Sequence, residues 1–285
     1  LAAPVLVYPS PKSTTHAGLD HASAHRSRPV LSSHPPRVLG VIPARLGSTR
    51  LPRKMLLSLA GEPMLAWVYR AARECRLLSQ VLIATDSDEI MELAQSRGIP
   101  AVFTPEDCAS GTDRVHAVAQ SIAADIYVNI QGDEPLLRAE HLDALLAPML
   151  AAESAVEVAT LATPCPADQL DSPHAVKVVL DRRGRALYFS RARIPFDRNG
   201  AGEVQVLKHL GLYAYRKETL NRFPALPASR LEAMEKLEQL RFLENGIAVT
   251  VSLTEYDTRG VDTEEDLAAV ELALVDRLQT TQSSK

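Results

Sequence analysis

Residues 38–54 read VLGVIPARLGSTRLPRK. The stretch opens with a short apolar run, Val38-Leu39-Gly40-Val41-Ile42, bounded by Pro43. A run of that length suits a buried strand, and in an open α/β sheet a ligand sits where such a strand ends in a glycine-containing loop. The loop that follows holds four cations in ten residues, Arg45, Arg50, Arg53 and Lys54, around Gly47-Ser48-Thr49. Glycine lets the backbone come close, Ser and Thr donate hydrogen bonds, and Arg and Lys neutralise phosphate oxygens. The loop reads as an anion site, although a solvated basic loop accounts for the same cations.

Downstream, apolar runs of strand length alternate with amphipathic segments. Leu65, Val68, Tyr69, Ala72 and Cys75 share one helical face behind Pro63, which suits a first helical turn. Strands are expected at residues 81–84, 101–103, 125–130, 156–161 and 248–253, and helices at 89–97, 139–150 and 231–244. Asp86 or Asp88 is expected to cap helix 89–97, which stops at Gly98. The alternation implies a mostly parallel sheet with crossover helices. Residues 175–180 and 186–191 flank Asp181-Arg182-Arg183-Gly184-Arg185, a β-hairpin with a glycine turn, so the sheet is mixed. In strand 208–215, period-two alternation puts His209, Gly211, Tyr213 and Tyr215 on one face, either a substrate wall or plain core.

Further stretches carry chemistry. Ser110-Gly111-Thr112-Asp113-Arg114 leads into a helix, where hydroxyls and free N–H groups can meet an anion; an ordinary N-cap explains most of the same residues. Gln131-Gly132-Asp133-Glu134-Pro135 leaves the strand 125–130. An acid just past a central strand, freed by glycine and stiffened by proline, is placed to hold Mg²⁺ beside a triphosphate. At Arg259-Gly260-Val261-Asp262-Thr263, Thr263 and Asp266 form a capping-box-like helix start that leaves Asp262 free to ligate. Helix 231–244 bears Glu235, Glu238 and Gln239 as the polar strip a solvated face carries. The absence of GxxxxGKS or GxxxxGKT, HExxH and GxSxG excludes a P-loop NTPase, a zincin and a serine-hydrolase elbow.

The 285 residues carry a formal charge of −4, which gives no reason to expect nucleic acid. No apolar run approaches membrane-spanning length, so no membrane partner is expected. Cys75, Cys108 and Cys165 lie far apart with no CxxC pair, which fits a reducing compartment, the cytoplasm. Residues 1–37 hold four of the eight histidines, many Ser and Pro and the single acid Asp20. That composition predicts a disordered N-terminal extension. Its Arg/Ser-rich, acid-poor character also matches an organellar transit peptide, and a non-functional extension is the plainer reading. The folded domain is expected over residues 38–278, with a frayed tail at 279–285.

Held together, the motifs resemble one family. Ile42-Pro43-Ala44-Arg45, Ser48-Thr49-Arg50-Leu51-Pro52 with Lys54, Ser110-Gly111-Thr112-Asp113-Arg114 and Asn129-Ile130-Gln131-Gly132-Asp133-Glu134-Pro135 come first. Ala186-Leu187-Tyr188-Phe189-Ser190-Arg191, His209-Leu210-Gly211-Leu212-Tyr213, Leu237-Glu238-Gln239-Leu240-Arg241 and Gly260-Val261-Asp262-Thr263 follow in order. The pattern is similar to that of the 3-deoxy-manno-octulosonate cytidylyltransferases (CMP-Kdo synthetases), over residues 38–274. The resemblance implies a Rossmann-like, mixed-sheet nucleotidyltransferase fold of the nucleotide-sugar type, a homodimer and Mg²⁺ as cofactor. The implied reaction is CTP plus Kdo giving CMP-Kdo plus pyrophosphate, for lipopolysaccharide or plant pectin synthesis.

Carried over by position, Arg45 and Lys54 would hold the triphosphate, Ser110 and Thr112 would line the nucleotide pocket, and Gln131 would help read the cytosine edge. Asp133 and Asp262 would ligate Mg²⁺, making Asp133, Lys54 and Arg45 the catalytic set. Arg191, His209, Tyr213, Glu238 and Gln239 would surround Kdo, with Arg191 facing its carboxylate. Those roles replace the core reading of His209 and the solvated-face reading of Glu238. Two positions depart from the pattern: Arg53, where the family has Gly, and Glu264, where Pro is common. Arg53 either limits how closely the backbone meets the phosphates or adds a phosphate contact. The alternatives are a cytidylyltransferase for 8-amino-Kdo or a sialic acid, or a silent nucleotide-binding regulator, against which both aspartates speak.

Overall fold

The computed structural model describes residues 35–47, 50–151, 154–200 and 205–283. The expected N-terminal extension therefore lies, up to residue 34, outside the described residues, as do Ser48 and Thr49 of the first loop. Val38, Leu39, Val41 and Ile42 are at most 1 % exposed, and strand β1 (Val38–Ala44) runs through the middle of a sheet that has nine strands among the described residues. It pairs in parallel with β4 (Gln80–Thr85) and β6 (Ile126–Asn129), and β4 pairs with β5 (Ala101–Phe103). A small separate ribbon, β2 (Ser58–Leu59) and β3 (Glu62–Pro63), follows the first loop. Beyond β6 the direction reverses. There β10 (Leu207–Arg216) is antiparallel to β6 and β7 (Val158–Pro164), and β11 (Val249–Leu253) lies parallel to β7. The expected hairpin is β8 (Lys177–Leu180) with β9 (Ala186–Ser190), and β8 also pairs with the start of β10. The sheet is mixed, in the order β11-β7-β10-β6-β1-β4-β5.

Alternation along β1 sends Val38 and Ile42 to one face and Leu39 and Val41 to the other. The first face is covered by α1 (Met64–Glu74), α2 (Asp88–Ser96) and α4 (Ala139–Leu150), which bury Leu65, Ile90 and Leu145. The second is covered by α3 (Gly111–Ser121), α5 (Lys217–Arg222) and α7 (Leu240–Glu244), which bury Val115, Leu220 and Phe242. A third cluster forms where Val270 and Leu274 of α8 (Glu264–Ser283) pack with Leu51, Leu59 and Trp67. Leu51 is buried there, and burying such a side chain stabilises by about 1.5–3 kcal/mol. The last helix thus anchors the first loop. Trp67 Nε1 donates to the Leu59 carbonyl at 2.7 Å, and the Ala60 N–H donates to Glu271 Oε1 at 2.8 Å. The helix also runs five residues beyond Leu278, into the stretch expected to fray.

Two local expectations are corrected. Ser87, not an acid, caps α2: its Oγ accepts from the Ile90 N–H at 3.4 Å, while Asp86 is drawn to Arg114 Nη2 at 2.6 Å. The single helix expected over 231–244 is instead two short ones, α6 (Arg230–Glu235) and α7, because Lys236 adopts a left-handed φ of 55°. Arg191 Nε donates to the Glu235 carbonyl at 2.8 Å, so that carbonyl is satisfied without the next helical N–H. The break turns Leu237 and Glu238 inward.

Opposite β7, strand β10 carries two residues without partners: Leu210 faces Leu161, Tyr213 faces Thr160, and Gly211-Leu212 bulge between them. Because two residues are inserted, side-chain alternation survives. Leu210, Leu212 and Ala214 stay in one core, and Tyr213 and Tyr215 in the other, as expected.

A left-handed backbone penalises a branched side chain by about 1–2 kcal/mol and costs glycine nothing. Lys236→Val is therefore expected to lose about 1–2 kcal/mol in urea titration relative to Lys236→Gly. Equal midpoints would show that the break does not depend on that conformation.

Candidate active site

The C-terminal ends of β1 and β6 open onto a cavity of about 340 Å³. Lys54 starts a short 3-10 turn just after the first loop, and its Nζ lies 2.6 Å from Asp133 Oδ2 and 3.0 Å from Asp262 Oδ1. Arg50 Nη2 meets the other oxygen of Asp262 at 3.0 Å. Burial would lower the Lys54 pKa, but the two carboxylates outweigh it and hold it raised. The Val261 N–H donates to the Asp133 carbonyl at 2.9 Å, which ties the entry of α8 to the end of β6. Gly132 is needed for this fit: a Cβ there would lie 3.1 Å from the Pro43 carbonyl oxygen and 3.2 Å from Met55 Sδ. Arg53 has a left-handed φ of 56°, which explains glycine in the family pattern, and its guanidinium pairs with Glu89. Among the described residues its side chain does not line the cavity.

The rim opposite Lys54 is the N-terminus of α3. Ser110 and Asp113 form a full capping box, with Ser110 Oγ accepting from the Asp113 N–H at 3.1 Å. The unpaired N–H groups and the helix dipole favour an anion there. Arg114, buried in the same turn, is held by Asp86 at 2.6 Å and by Thr104.

A second, larger cavity of about 820 Å³ adjoins the first, and Arg50, Gly111, Gln131 and Asp262 line both. Gln131 Nε2 donates to the Gly211 carbonyl of the β10 bulge at 3.1 Å. His209, Tyr213, Glu238 and Gln239 line this cavity. Burial holds the His209 pKa down at about 3 and pushes the Tyr213 phenol up. Thr112 Oγ1 donates to the Glu238 carboxylate, joining a residue expected on the nucleotide side to one expected on the sugar side. Burial raises the Glu238 pKa.

Of the residues singled out from sequence, Arg45, Lys54, Ser110, Gln131, Asp133 and Asp262 meet at the first cavity, and Thr112, Gln131, His209, Tyr213, Glu238, Gln239 and Asp262 at the second. Arg191 lines neither. Its guanidinium instead donates to the backbone carbonyls of Glu235, Pro173 and Lys236, at 2.8, 2.9 and 3.3 Å. The sequence reading missed Arg50 as a partner of Asp262, although the residue stood in the quoted loop. It also gave no role to Glu134, whose Oε2 is buried without a partner among the described residues, or to Lys208, which Asp257 holds at 2.9 Å. Burial, then the charge of Asp133, pushes the Glu134 carboxyl up to about 7.

The family described as Cytidylyltransferase matches residues 39–253. A 3-deoxy-manno-octulosonate cytidylyltransferase of Acidobacterium capsulatum is 65% identical over 84% of this chain and 97% of its own length. One of Koribacter versatilis is 54% identical over 85% of this chain and 91% of its own. Among solved structures, CMP:2-keto-3-deoxy-manno-octonic acid synthetase complexed with CTP is similar, with a TM-score of 0.81 and 41% identity over 85% of this chain and 99% of its own. The inositol-1-phosphate CTP transferase from T. maritima, at 11% identity and a TM-score of 0.56, shares the fold.

The buried imidazole has a consequence for stability. His209 titrates near 3 when folded and near 6.5 when unfolded, so between those values the unfolded chain takes up a proton that the folded one refuses. Its contribution is present above pH 6.5 and is lost as the pH falls toward 3. Glu134 acts in the opposite sense between 4.5 and 7, so the two must be separated by difference. The unfolding free energy of His209→Gln is expected to fall less steeply with acid than that of wild type, by up to about 1.4 kcal/mol per pH unit. Denaturant titrations at stepped pH give the two slopes, and parallel slopes would refute a neutral His209.

Proposed function

The chain belongs to the 3-deoxy-manno-octulosonate cytidylyltransferases, within the cytidylyltransferase family, and on that premise we propose that it transfers CMP from CTP to the anomeric hydroxyl of Kdo, releasing pyrophosphate. The observation that carries this reading is the Lys54 ammonium between Asp133 and Asp262, on the floor of a cavity continuous with a larger, polar one.

Displacement at an α-phosphorus by a hydroxyl needs charge neutralisation and in-line placement more than a covalent nucleophile. Arg45, Arg50 and Lys54 supply positive charge for the triphosphate and for the departing pyrophosphate. The N–H groups at the start of α3 face the same anion. Gln131 spends its Nε2 on the Gly211 carbonyl, which leaves Oε1 to accept from the exocyclic amine of cytosine. Tyr213, Glu238 and Gln239 form the acceptor wall on the far side of Gln131. The three carbonyl partners of Arg191 belong to segments whose neighbours His174 and Leu237 line the second cavity, so Arg191 would act on the acceptor through the wall it ties together and its charge behind that wall, without direct contact.

The donor set fits Mg²⁺. Two carboxylates from separate segments already converge on one cation, and a hard divalent ion is commonly held by one or two carboxylates together with substrate phosphates. Asp133 and Asp262 would hold it, and when bound it supplies Lewis-acid polarisation at the α-phosphate. Among the described residues no helix is long and apolar enough to cross a membrane. We read the chain as a cytoplasmic homodimer whose product serves lipopolysaccharide synthesis, a reading that the family supports.

A coupled pyrophosphate-release assay with CTP and a panel of acidic sugars tests the reaction, and release with Kdo is expected. Release only with 8-amino-Kdo or a sialic acid would move the acceptor, and no release with any sugar would leave a nucleotide-binding regulator. Asp133→Asn is expected to lower kcat by at least about a thousandfold at saturating Mg²⁺, and near-wild-type turnover would sink the metal assignment.

A further inference from the structure

Thr160 lies on β7, fully buried behind His209. Its Oγ1 stands 2.7 Å from the Leu212 carbonyl oxygen, 3.3 Å from that of Leu210 and 2.9 Å from His209 Nε2. A hydroxyl has one proton, and a carbonyl oxygen can only accept. The Thr160 proton is therefore committed to the bulge, by distance to Leu212. The lone pair that remains faces His209 and obliges Nε2 to be the donor. In a neutral imidazole carrying Nε2–H, Nδ1 is an acceptor.

Among the described residues Nδ1 has no hydrogen-bond partner, and His209 lines the second cavity beside Gly211 and Tyr213. The ring sits between Phe189 and Tyr213, with centroids 5.0 and 5.4 Å away. Such walls disfavour a charged imidazole, in keeping with its lowered pKa.

We infer that Thr160 is a positioning residue which, through the β10 bulge, locks His209 in the Nε2–H form, so that Nδ1 offers a lone pair to a hydroxyl of the acceptor sugar and turns its carboxylate away. The identity of the acceptor rests on the proposed function; the tautomer rests on the hydrogen bonds alone. A bare ring nitrogen accepts from a hydroxyl and repels a carboxylate oxygen. The bulge thus acts on substrate orientation through two contacts, Gln131 on Gly211 and Thr160 on Leu212.

Proton–nitrogen correlation spectra of protein labelled with ¹⁵N at histidine, with His209 assigned through His209→Gln, read the tautomer directly. Wild type and Thr160→Ser are expected to show a protonated Nε2 and a bare Nδ1, and Thr160→Val a mixture or the reverse. In steady-state assays KM for Kdo is expected to rise about tenfold in Thr160→Val, with KM for CTP unchanged and Thr160→Ser near wild type. A protonated Nδ1 in wild type overturns the inference, as does Thr160→Val with wild-type spectrum and KM. Should Thr160→Val not fold, the wild-type and Thr160→Ser spectra still decide. If wild type releases no pyrophosphate with Kdo, the functional reading fails, while the spectrum still reports the tautomer.

Discussion

The site depends on one contact, the Lys54 ammonium held between the carboxylates of Asp133 and Asp262. The three side chains come from the first loop, the end of a central strand and the entry to the last helix. Two carboxylates brought together without a cation would repel each other. The chain therefore carries its own positive charge at their meeting point. Arg50 adds a second cation on the outer oxygen of Asp262, so two acids are matched by two bases. Partly exposed pairs of this kind add little to stability. What they preserve is geometry: an anion entering the cavity meets cations already aligned.

The sheet divides the labour. Its parallel half, β1 with β4 and β6, places the loop, the α3 N-terminus and Asp133 at one edge. The antiparallel half, β10 with β7 and β8, builds the wall of the larger cavity. β10 pairs with β6, β7 and β8 alike, so it holds the two halves in register. Gln131 crosses the seam by reaching from the end of β6 to the bulge on β10.

Much of this was legible in the residues themselves. The VLGVI run, the bounds of α4, the glycine-turned hairpin and the Thr263–Asp266 cap all follow from local pattern, because local pattern is what strands, turns and caps obey. Asp133 could be singled out because glycine and proline bracket it at a strand end. Contacts between distant segments were not legible. The break at Lys236 answers to Arg191, 45 residues away, and the Asp86–Arg114 pair leaves Ser87 to cap α2. The acceptor-side reading of His209 and Glu238 came only through family resemblance, since a polar residue in a strand or on a helix looks the same from sequence whether it faces water or a cavity. Thr160 had no signal at all, because a lone threonine in a β-run is ordinary until a bulge stands opposite it.

The packing of Leu51 beneath Val270 and Leu274 joins the two ends of the folded region. Lys54 and Asp262 are separated by 208 residues yet share that small core as their support. Peeling α8 from it would release Leu51 and Asp262 in the same event. In hydrogen-exchange terms the segment around Leu51 and the last helix would open as one unit, with the cation cluster assembling or dissolving as a whole.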